Sequence, residues 1–518
     1  MGTVFKSPAW SAKGMVVTEH PMATLAGWDA LRRGGTVADA AVAIGATLAV
    51  VTPHLCGLGG DFFALLWSAK ERRAIALNGS GRAPQNLSAA TLRRRGLAQM
   101  PTYGPLTVTV PGLVDALWTL HQRFGRLAWA SLWEHALAAA ADGVVVSGKL
   151  ARAIADNADR LSRDEGARRV FFRDDAPLTA GQLLRQPALA QTMQRIAADG
   201  RDGFYTGATA QAMAKHLQRL GSPMTEDDFA AHTSDWAEPL ALRYRDVTLM
   251  ELPPNALGVA TLQTMALLAG LPLSQMGTAA LVASIADIAA VVAAERDAYL
   301  ADPAHVTAPP DALLHPDRIA HLRERLGKGG WATAPRDGDT TNFVVVDAEG
   351  NALSAIQSLF HAFGAGIVEP QTGVLFQNRG ANFVLTEGHP NELQGGKRPR
   401  HTLSALMVLD DRGEVKGALG TSGGDFRPTI HAWVLVRWLD LGIPLQDAIE
   451  APRALWLGGR NLLMEPGLCD LTELHRKGWQ VQLVPYPGGT GVAHGVERVG
   501  VSWCGCADIR GDGVALPL

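Results

Sequence analysis

The segment Asp339-Thr-Thr-Asn-Phe-Val-Val-Val-Asp347 decides how the chain is organised. Its β-branched and aromatic residues predict a strand, and Ala348-Glu-Gly-Asn351 after it has the composition of a turn. Ala352-Leu-Ser-Ala-Ile-Gln-Ser-Leu-Phe360 predicts a second strand, so the two form a β-hairpin. The polar, glycine-bearing stretch 327–339 predicts an exposed loop before the hairpin, which places two threonines at a loop-to-strand junction.

Helical periodicity dominates the sequence before this junction, and strands become frequent after it. Apolar residues recur at helical spacing within 20–50, 113–160, 180–220 and 278–301. After the hairpin, the sequence predicts a helix at 428–440 and strands at 403–409, 414–420 and 498–504. Strands and helices do not alternate after residue 340, which argues against a doubly wound sheet. We therefore expect an α+β fold, a four-layered α/β/β/α sandwich.

The composition limits the possible partners of the chain. Its 518 residues are 47% hydrophobic and 19% charged, which suffices for a large buried core. The net charge of −3 provides no basic excess, so we expect no nucleic acid partner. Asp39 and Asp287 interrupt the longest apolar stretches, so no membrane-spanning helix is expected. The N-terminus lacks the features of an export signal and only four cysteines are present, which favours a cytoplasmic location.

Thr340 is a candidate nucleophile because of its place at the junction. A threonine hydroxyl reacts poorly unless a base removes its proton. If the chain is cut before Thr340, the freed α-amine has a pKa of about 8 and can act as that base. Nucleophile and base then belong to one residue, and no Ser-His-Asp arrangement is needed. The alternative is an ordinary threonine at the start of a strand.

A glycine-rich loop, Gly420-Thr-Ser-Gly-Gly-Asp425, precedes the helix predicted at 428–440. Adjacent glycines allow two backbone N–H groups to point at one spot, where an anion or a developing oxyanion would bind. Phosphate or nucleotide binding and an ordinary turn are the alternatives, although the lysine of a phosphate-binding loop is absent. The histidines and cysteines do not have the spacing of metal ligands, so we expect neither a metal nor a cofactor.

These motifs resemble those of the γ-glutamyltranspeptidase family of N-terminal nucleophile hydrolases. The resemblance extends over essentially the whole chain, in the order of the family. Besides the threonine junction and the glycine loop, it rests on Gly14-Met-Val-Val17, Ala23-Thr-Leu-Ala-Gly27, Gly34-Gly-Thr-Val-Ala-Asp-Ala-Ala-Val42, Pro53-His-Leu-Cys-Gly-Leu-Gly-Gly60, Pro111-Gly112, Asp302-Pro303, Gly350-Asn351, Phe363-Gly364, Gly396-Lys-Arg-Pro399, Ala451-Pro-Arg453 and Ala507-Asp-Ile-Arg-Gly-Asp-Gly513.

The resemblance implies a precursor that cleaves itself between Asp339 and Thr340. Residues 1–339 would become a helix-rich large subunit and 340–518 a strand-rich small subunit, and the two would remain together as a heterodimer. Thr340 would serve both as the processing and as the catalytic nucleophile. The resemblance further implies that Gly423 and Gly424 form the oxyanion hole and that Ser358 hydrogen-bonds the nucleophile.

The substrate-binding motifs depart from the family pattern. Transpeptidases bind the substrate carboxylate with an arginine in an early Arg-x-x-Ala-Pro stretch. In Asn78-Gly-Ser-Gly-Arg-Ala-Pro84, Ser80 takes the place of that arginine and Arg82 follows two residues later. Phe360 stands where the family has an asparagine on the second hairpin strand, which predicts a smaller or more apolar pocket.

A second group of departures changes the charges that the substrate would meet. In Gln377-Asn-Arg-Gly-Ala-Asn382, Arg379 replaces an amide and Asn382 replaces the carboxylate that receives the substrate's amine. His401-Thr402 replaces a serine pair. Loss of the carboxylate and gain of an arginine, with Arg400 or His401 nearby, favour an anionic substrate without an amine.

The sequence therefore predicts an amidohydrolase of the oxamate amidohydrolase branch, acting on a small amide that carries a carboxylate. We expect the heterodimers to be able to pair further. The alternatives are a γ-glutamyltransferase or glutathione hydrolase, a glutaryl-type (cephalosporin) acylase, and a binding protein that never cleaves. The candidate substrate-binding residues are Arg82, Arg379, Asn382, His401 and Thr402.

Overall fold

Two seven-stranded sheets form the centre of the computed structural model, which describes residues 6–328, 334–335 and 338–518. The loop predicted at 327–339 lies partly outside the described residues. Where it is described, Ala334 is exposed as expected, whereas Gly338 is buried beside the hairpin.

The first sheet contains the hairpin at its centre, and all of its neighbouring strands are antiparallel. Its two central strands begin and end almost where the sequence predicts, with a bulge between Asp339 and Thr341. The strands, in their order across the sheet, are β21 (Val514–Pro517), β2 (Met15–Thr18), β12 (Asp339–Val346), β13 (Ala352–Phe360), β3 (Asp61–Ser68), β4 (Arg73–Gly79) and β9 (Asp235–Ala237).

The second sheet packs against one face of the first and is also antiparallel. Like the first sheet, it combines strands from before and after residue 339. In order across the sheet, its strands are β1 (Ala9–Ser11), β20 (Ser502–Ala507), β19 (Ala493–Val499), β15 (Val415–Thr421), β14 (Leu406–Leu409), β11 (Val247–Glu251) and β10 (Leu240–Tyr244). Short strands outside the two sheets are β5 (Val144–Val145), β6 (Phe172–Arg173), β7 (Ala176–Pro177), β8 (Leu183–Leu184), β16 (Ala454–Trp456), β17 (Asn461–Met464) and β18 (Gln480–Leu483).

Helices cover the outer face of each sheet. The central helix of the first layer, residues 37–51, is apolar on all sides and fully buried, and a capping box of Thr36 and Asp39 starts it. The helices before residue 250 are α1 (Pro21–Arg32), α2 (Val37–Val51), α3 (Ala89–Arg94), α4 (Leu113–Phe124), α5 (Glu134–Asp142), α6 (Gly148–Asp156), α7 (Ala158–Leu161), α8 (Glu165–Phe171), α9 (Pro187–Asp199), α10 (Asp202–Tyr205), α11 (Gly207–Arg219) and α12 (Glu226–Ala230). The helices on the second sheet are α13 (Gly258–Leu268), α14 (Thr278–Tyr299), α15 (Pro316–Arg325), α16 (Arg427–Leu435), which continues as a π-helix over Val436–Asp440, α17 (Leu445–Glu450) and α18 (Leu471–Arg476).

Three hydrophobic cores fill the spaces between these layers. One lies between the first sheet and the helices before residue 250, and a second between the second sheet and α13–α18. The third fills the space between the two sheets, where Val344 and Ile356 of the hairpin meet Met407 and Val496. This arrangement confirms the predicted four-layered α/β/β/α sandwich.

Some of the observed strands differ from those predicted from the sequence. The strand predicted at 498–504 is wrong, because that stretch spans the end of β19, a turn and the start of β20. The region read as helix-rich also supplies β2, β3 and β4 to the first sheet. These strands are buried on both faces, so they lack the alternation of polar and apolar residues that marks a half-exposed strand.

Helix α14 is long and apolar enough to cross a membrane by length and composition alone. However, 61% of its most apolar window is buried inside the protein, where the helix packs against α13 and α16. A buried core helix passes the same test of length and composition, so this finding is weak evidence for a membrane span.

Four histidines that are wholly or largely buried predict that acid destabilises the protein. Burial lowers the pKa of His54, His232 and His494 to about 4 and that of His401 to about 3, all below the unfolded value of about 6.5. Between the folded and unfolded pKa values the unfolded chain binds more protons than the folded one. The free energy of unfolding therefore decreases as the pH is lowered, by up to ~1.4 kcal/mol per pH unit for each histidine.

The check is the urea midpoint measured from pH 7 down to pH 4, which we expect to fall steadily. Burial raises the pKa of Glu19 to about 8 and also raises the pKa of Asp287, Asp347, Glu450 and Glu497. These carboxyls act in the opposite sense, and we expect the four histidines to dominate. A midpoint that stays constant over this range would contradict the prediction.

Candidate active site

The two hydroxyl groups that the sequence singled out lie side by side at one end of the hairpin. Thr340 is at the start of β12, beside the bulge, and Ser358 is near the end of β13. Their Oγ1 and Oγ atoms are 3.1 Å apart, and both side chains are buried. Ser358 occupies the same face of β13 as Ile356, which packs between the two sheets.

Both hydroxyls also contact the backbone carbonyl of Asp339, which belongs to the peptide bond predicted to be cleaved. In the uncleaved chain, Thr340 Oγ1 is 2.7 Å and Ser358 Oγ is 2.8 Å from the Asp339 carbonyl oxygen. The hydroxyl expected to attack therefore lies beside the carbonyl group it would attack, and a second hydroxyl can donate to the oxygen on which negative charge would develop.

The neighbours of Ser358 decide where its proton points. The Phe360 backbone N–H and Arg379 Nη2 donate to Ser358 Oγ over 2.8 Å and 3.2 Å. Neither group can accept a proton, so the Ser358 hydroxyl donates to the Asp339 carbonyl. The Ser358 proton therefore points at the predicted cleavage site.

The glycine loop lies against the chain segment that leads to Asp339. Gly423 and Gly424, between β15 and α16, have φ angles of +124° and +55°, a conformation that favours glycine. A Cβ added to Gly338 would be 3.3 Å from Gly424 Cα, so the chain leading to Asp339 runs directly over the loop. Among the described residues, none accepts a hydrogen bond from the N–H of Gly423 or Gly424. This suits the predicted oxyanion hole, which stays a prediction.

Asp61 and His401 form a buried pair behind the hydroxyls. His401 Nε2 is 2.9 Å from Asp61 Oδ2, and neither side chain is exposed. Burial, followed by the charge of Arg379, lowers the pKa of His401 to about 3, so the ring is neutral near pH 7. Its Nε2–H therefore donates to Asp61, while Asp61 Oδ1 accepts from the Gly81 N–H and Gln377 Nε2.

Arg379 connects this pair with the nucleophile region. Its Nη2 contacts Ser358, and its Nη1 donates to Thr402 Oγ1 over 3.0 Å. Its Nε is 3.9 Å from Asp61 Oδ2, and its guanidinium carbon lies 4.4 Å from the centre of the Phe360 ring. Burial lowers the pKa of Arg379 to about 9, which leaves it charged near pH 7.

Asn382 and Arg400 line a neighbouring polar cavity of about 250 Å³. Asn382 Nδ2 donates to the Arg400 carbonyl, and its buried Oδ1 has no hydrogen-bond partner among the described residues. On the other side, Asp425 accepts from Arg400 at 2.9 Å and lies 3.3 Å from Arg296. Ala334, five residues before Asp339, lines the same cavity.

Arg82 lies apart from these groups. Its guanidinium donates to the Thr233 carbonyl and pairs with Asp235 at 3.4 Å. The structure thus brings Thr340, Ser358, Arg379, Thr402 and His401 into one network and places Asn382 in the adjoining cavity. A substrate contact for any of these side chains stays a prediction.

The sequence missed Asp61 and Asp425 as parts of this region. Asp61 directly follows the Gly57–Gly60 motif, and only the pairing of β3 with β13 shows that it lies opposite Ser358. Asp425 ends the glycine loop and pairs with Arg400 and Arg296. Within the described part of the chain, no three His, Cys, Asp or Glu side chains are grouped to hold a metal ion.

The family model for gamma-glutamyltranspeptidase matches residues 23–518. The chain belongs to the γ-glutamyltranspeptidase family. The resemblance seen in the motifs is thereby confirmed over almost the whole length of the chain.

Individual γ-glutamyltranspeptidase-family relatives agree with this assignment. The chain is 36% identical over 523 residues to the glutathione hydrolase-like YwrD proenzyme of Bacillus subtilis (strain 168), covering 98% of each chain. It is 36% identical over 461 residues to the oxamate amidohydrolase proenzyme of Klebsiella pneumoniae, covering 87% of this chain and 86% of that protein.

A solved structure of the same fold is the cephalosporin acylase from Bacillus halodurans. The TM-score is 0.94 at 29% identity, covering 100% of this chain and 98% of the acylase. Membership of the γ-glutamyltranspeptidase family, together with these relatives, identifies the chain as an enzyme, an N-terminal nucleophile hydrolase that acts on amide bonds.

Proposed function

We propose that the chain is a self-cleaving amidohydrolase that uses Thr340 to hydrolyse a small, carboxylate-bearing amide of the oxamate type. One observation carries the proposal: the hydroxyls of Thr340 and Ser358 both lie within hydrogen-bond distance of the Asp339 carbonyl oxygen. This geometry provides both an attacking oxygen and a donor to the oxyanion that forms.

Maturation begins when Thr340 Oγ1 attacks the Asp339 carbonyl carbon. The tetrahedral intermediate collapses with cleavage of the C–N bond, and the proton lost by the hydroxyl ends on the nitrogen. The product is an ester between Asp339 and the Thr340 side chain. Water hydrolyses this ester and leaves a carboxylate on Asp339 and a free α-amine on Thr340.

Turnover repeats the same chemistry on a substrate amide. The α-amine of Thr340 accepts the proton of its own hydroxyl, and Oγ1 attacks the substrate carbonyl. The backbone N–H groups of Gly423 and Gly424 stabilise the oxyanion. Ammonia or an amine leaves with the proton, and water then hydrolyses the acyl-enzyme ester to the free acid.

The two products of cleavage remain joined because both sheets interleave strands from each. In the first sheet, β12 lies between β2 and β13, and β13 lies between β12 and β3. Separation would break these strand ladders and expose the core between the layers. We therefore propose a heterodimer of residues 1–339 and 340–518.

The cavity beside the nucleophile favours a carboxylate over an ammonium group. Each carboxylate lining it is already engaged by an arginine: Asp425 by Arg400 and Arg296, and Asp297 by Arg296. A substrate ammonium would have to compete with these arginines, whereas a carboxylate could accept from the further N–H donors that a guanidinium keeps beside its aspartate partner. Asn382 also provides an amide where other family members have a carboxylate.

We expect oxamate to be hydrolysed with release of ammonia, at a kcat/KM at least about 10²-fold above that for a γ-glutamyl anilide. The measurement compares ammonia release from oxamate with chromophore release from the anilide. A glutaryl amide is a useful third substrate because the fold is similar to that of a cephalosporin acylase. Preference for the γ-glutamyl or the glutaryl compound would contradict the proposed substrate class but not the nucleophile.

The variant Asn382→Asp tests the same argument by restoring a carboxylate to the cavity. It should raise γ-glutamyl hydrolysis and lower oxamate hydrolysis, while cleavage before Thr340, which involves no substrate, proceeds as in the wild type. Equal effects on both substrates would contradict a role of this position in selecting charge.

A further inference from the structure

A fully buried ion pair, Asp61 and Arg379, lies behind the reacting hydroxyls and takes no part in the steps above. We propose that these two are positioning residues: Arg379 holds the Ser358 and Thr402 hydroxyls in place, and Asp61 holds Arg379. The inference rests on the proposed function, since it concerns the chemistry of Thr340.

Arg379 contacts Ser358 directly. A guanidinium can only donate, so Arg379 Nη2 occupies a lone pair of Ser358 Oγ and turns the serine proton away from itself. The Phe360 N–H occupies a second lone pair. Without Arg379, the Ser358 hydroxyl would be free to rotate away from the Asp339 carbonyl.

Asp61 in turn lies beside Arg379 and carries the opposite charge. Asp61 lies directly opposite Ser358 in the pairing of β3 with β13. Donors surround it: the Gly81 N–H at 2.8 Å, Gln377 at 3.0 Å and neutral His401 at 2.9 Å. Burial alone would raise the pKa of Asp61, but the His401 hydrogen bond and the charge of Arg379 outweigh it and lower the pKa. Asp61 thus stays ionised and is the counter-ion nearest to Arg379.

The contacts of Arg379 separate this role from substrate binding. Arg379 has no exposed surface, its two Nη atoms are bound to Thr402 and Ser358, and the Phe360 ring covers its guanidinium plane. In the uncleaved chain its two Nη groups are thus directed at hydroxyls, one of which contacts Thr340, and Arg379 does not line the cavity of Asn382 and Arg400.

Self-cleavage provides the decisive test because it requires no substrate. We expect Arg379→Gln to slow the appearance of the two fragments by about 10²-fold and to lower kcat for oxamate similarly, with KM changed less than about threefold. Arg379→Lys, which keeps the charge and one donor, should recover part of the rate. Asp61→Asn should slow both reactions in the same direction.

The matched control is Asp440→Asn. Asp440 is a buried carboxylate that pairs with Arg245 at 2.9 Å, and its bond to Tyr244 can survive the change. This variant should mature and turn over at the wild-type rate. Thermal unfolding of all variants shows whether each is folded, and rates are compared only at temperatures where the protein is folded.

Two results would overturn the inference. Maturation of Arg379→Gln at the wild-type rate, with KM raised for oxamate, would make Arg379 a substrate-binding residue. Slow maturation in Asp440→Asn, to the degree seen in Asp61→Asn, would make the effect one of stability alone. A wild-type chain that neither cleaves nor hydrolyses amides would instead refute the proposed function itself.

Discussion

Replacement of Thr340 by alanine is expected to leave the chain as a single band of 54.9 kDa on denaturing electrophoresis. The substitution removes the Oγ1 atom that lies 2.7 Å from the Asp339 carbonyl oxygen, and no N→O acyl shift can then begin. Amide hydrolysis should fall by at least about 10³-fold, since neither a free α-amine nor a nucleophilic hydroxyl remains.

Two variants make this result specific to the Thr340 hydroxyl. Thr340→Ser keeps the hydroxyl and should still yield two fragments. Thr341→Ala alters the adjacent threonine, which pairs with Gln357 across the hairpin, and should also mature. Cleavage in Thr340→Ala at the wild-type rate would show that another group attacks the chain.

Replacement of Ser358 by alanine is expected to slow maturation by about 10² to 10³-fold, the usual effect of removing one donor to a developing oxyanion. The Ser358 hydroxyl is 2.8 Å from the Asp339 carbonyl oxygen and 3.1 Å from Thr340 Oγ1. Its removal also leaves Arg379 Nη2 without that acceptor in a buried site. The measurement is the time course of fragment formation, followed by electrophoresis.

Ser354 offers a control for this variant on the same strand and the same face. Ser354 lies four residues before Ser358 in β13, and its hydroxyl donates to the Leu419 carbonyl, away from the cleavage site. Ser354→Ala therefore removes a buried hydroxyl of β13 without touching Asp339. If it slows maturation as much as Ser358→Ala, the effect reflects damage to the strand and not loss of a donor.

Local patterns in the sequence were sufficient to predict the hairpin and its junction. Strand propensity and turn composition placed β12 and β13 within a residue of where they lie, because their boundaries depend on neighbouring residues in the chain. The family resemblance implied that Ser358 contacts Thr340, and the register of the hairpin brings the two side chains together.

Contacts between residues that are far apart in the chain could not be predicted from the sequence. Asp61 and Ser358 are almost 300 positions apart in the chain, and only the pairing of β3 with β13 makes them neighbours. The motifs suggested that Arg379 binds a substrate carboxylate, yet its fixed contacts are with Asp61 and two hydroxyls. A buried ion pair of this kind leaves no periodic signal, because burial depends on tertiary packing and not on local composition.

The most direct test of the account is the N-terminal sequence of the smaller fragment of the purified, folded protein. The account predicts that this fragment begins Thr340-Thr-Asn-Phe-Val and that its mass is that of residues 340–518. A fragment that begins at another residue, or an intact chain that hydrolyses amides, would contradict the claim that Thr340 becomes both nucleophile and base.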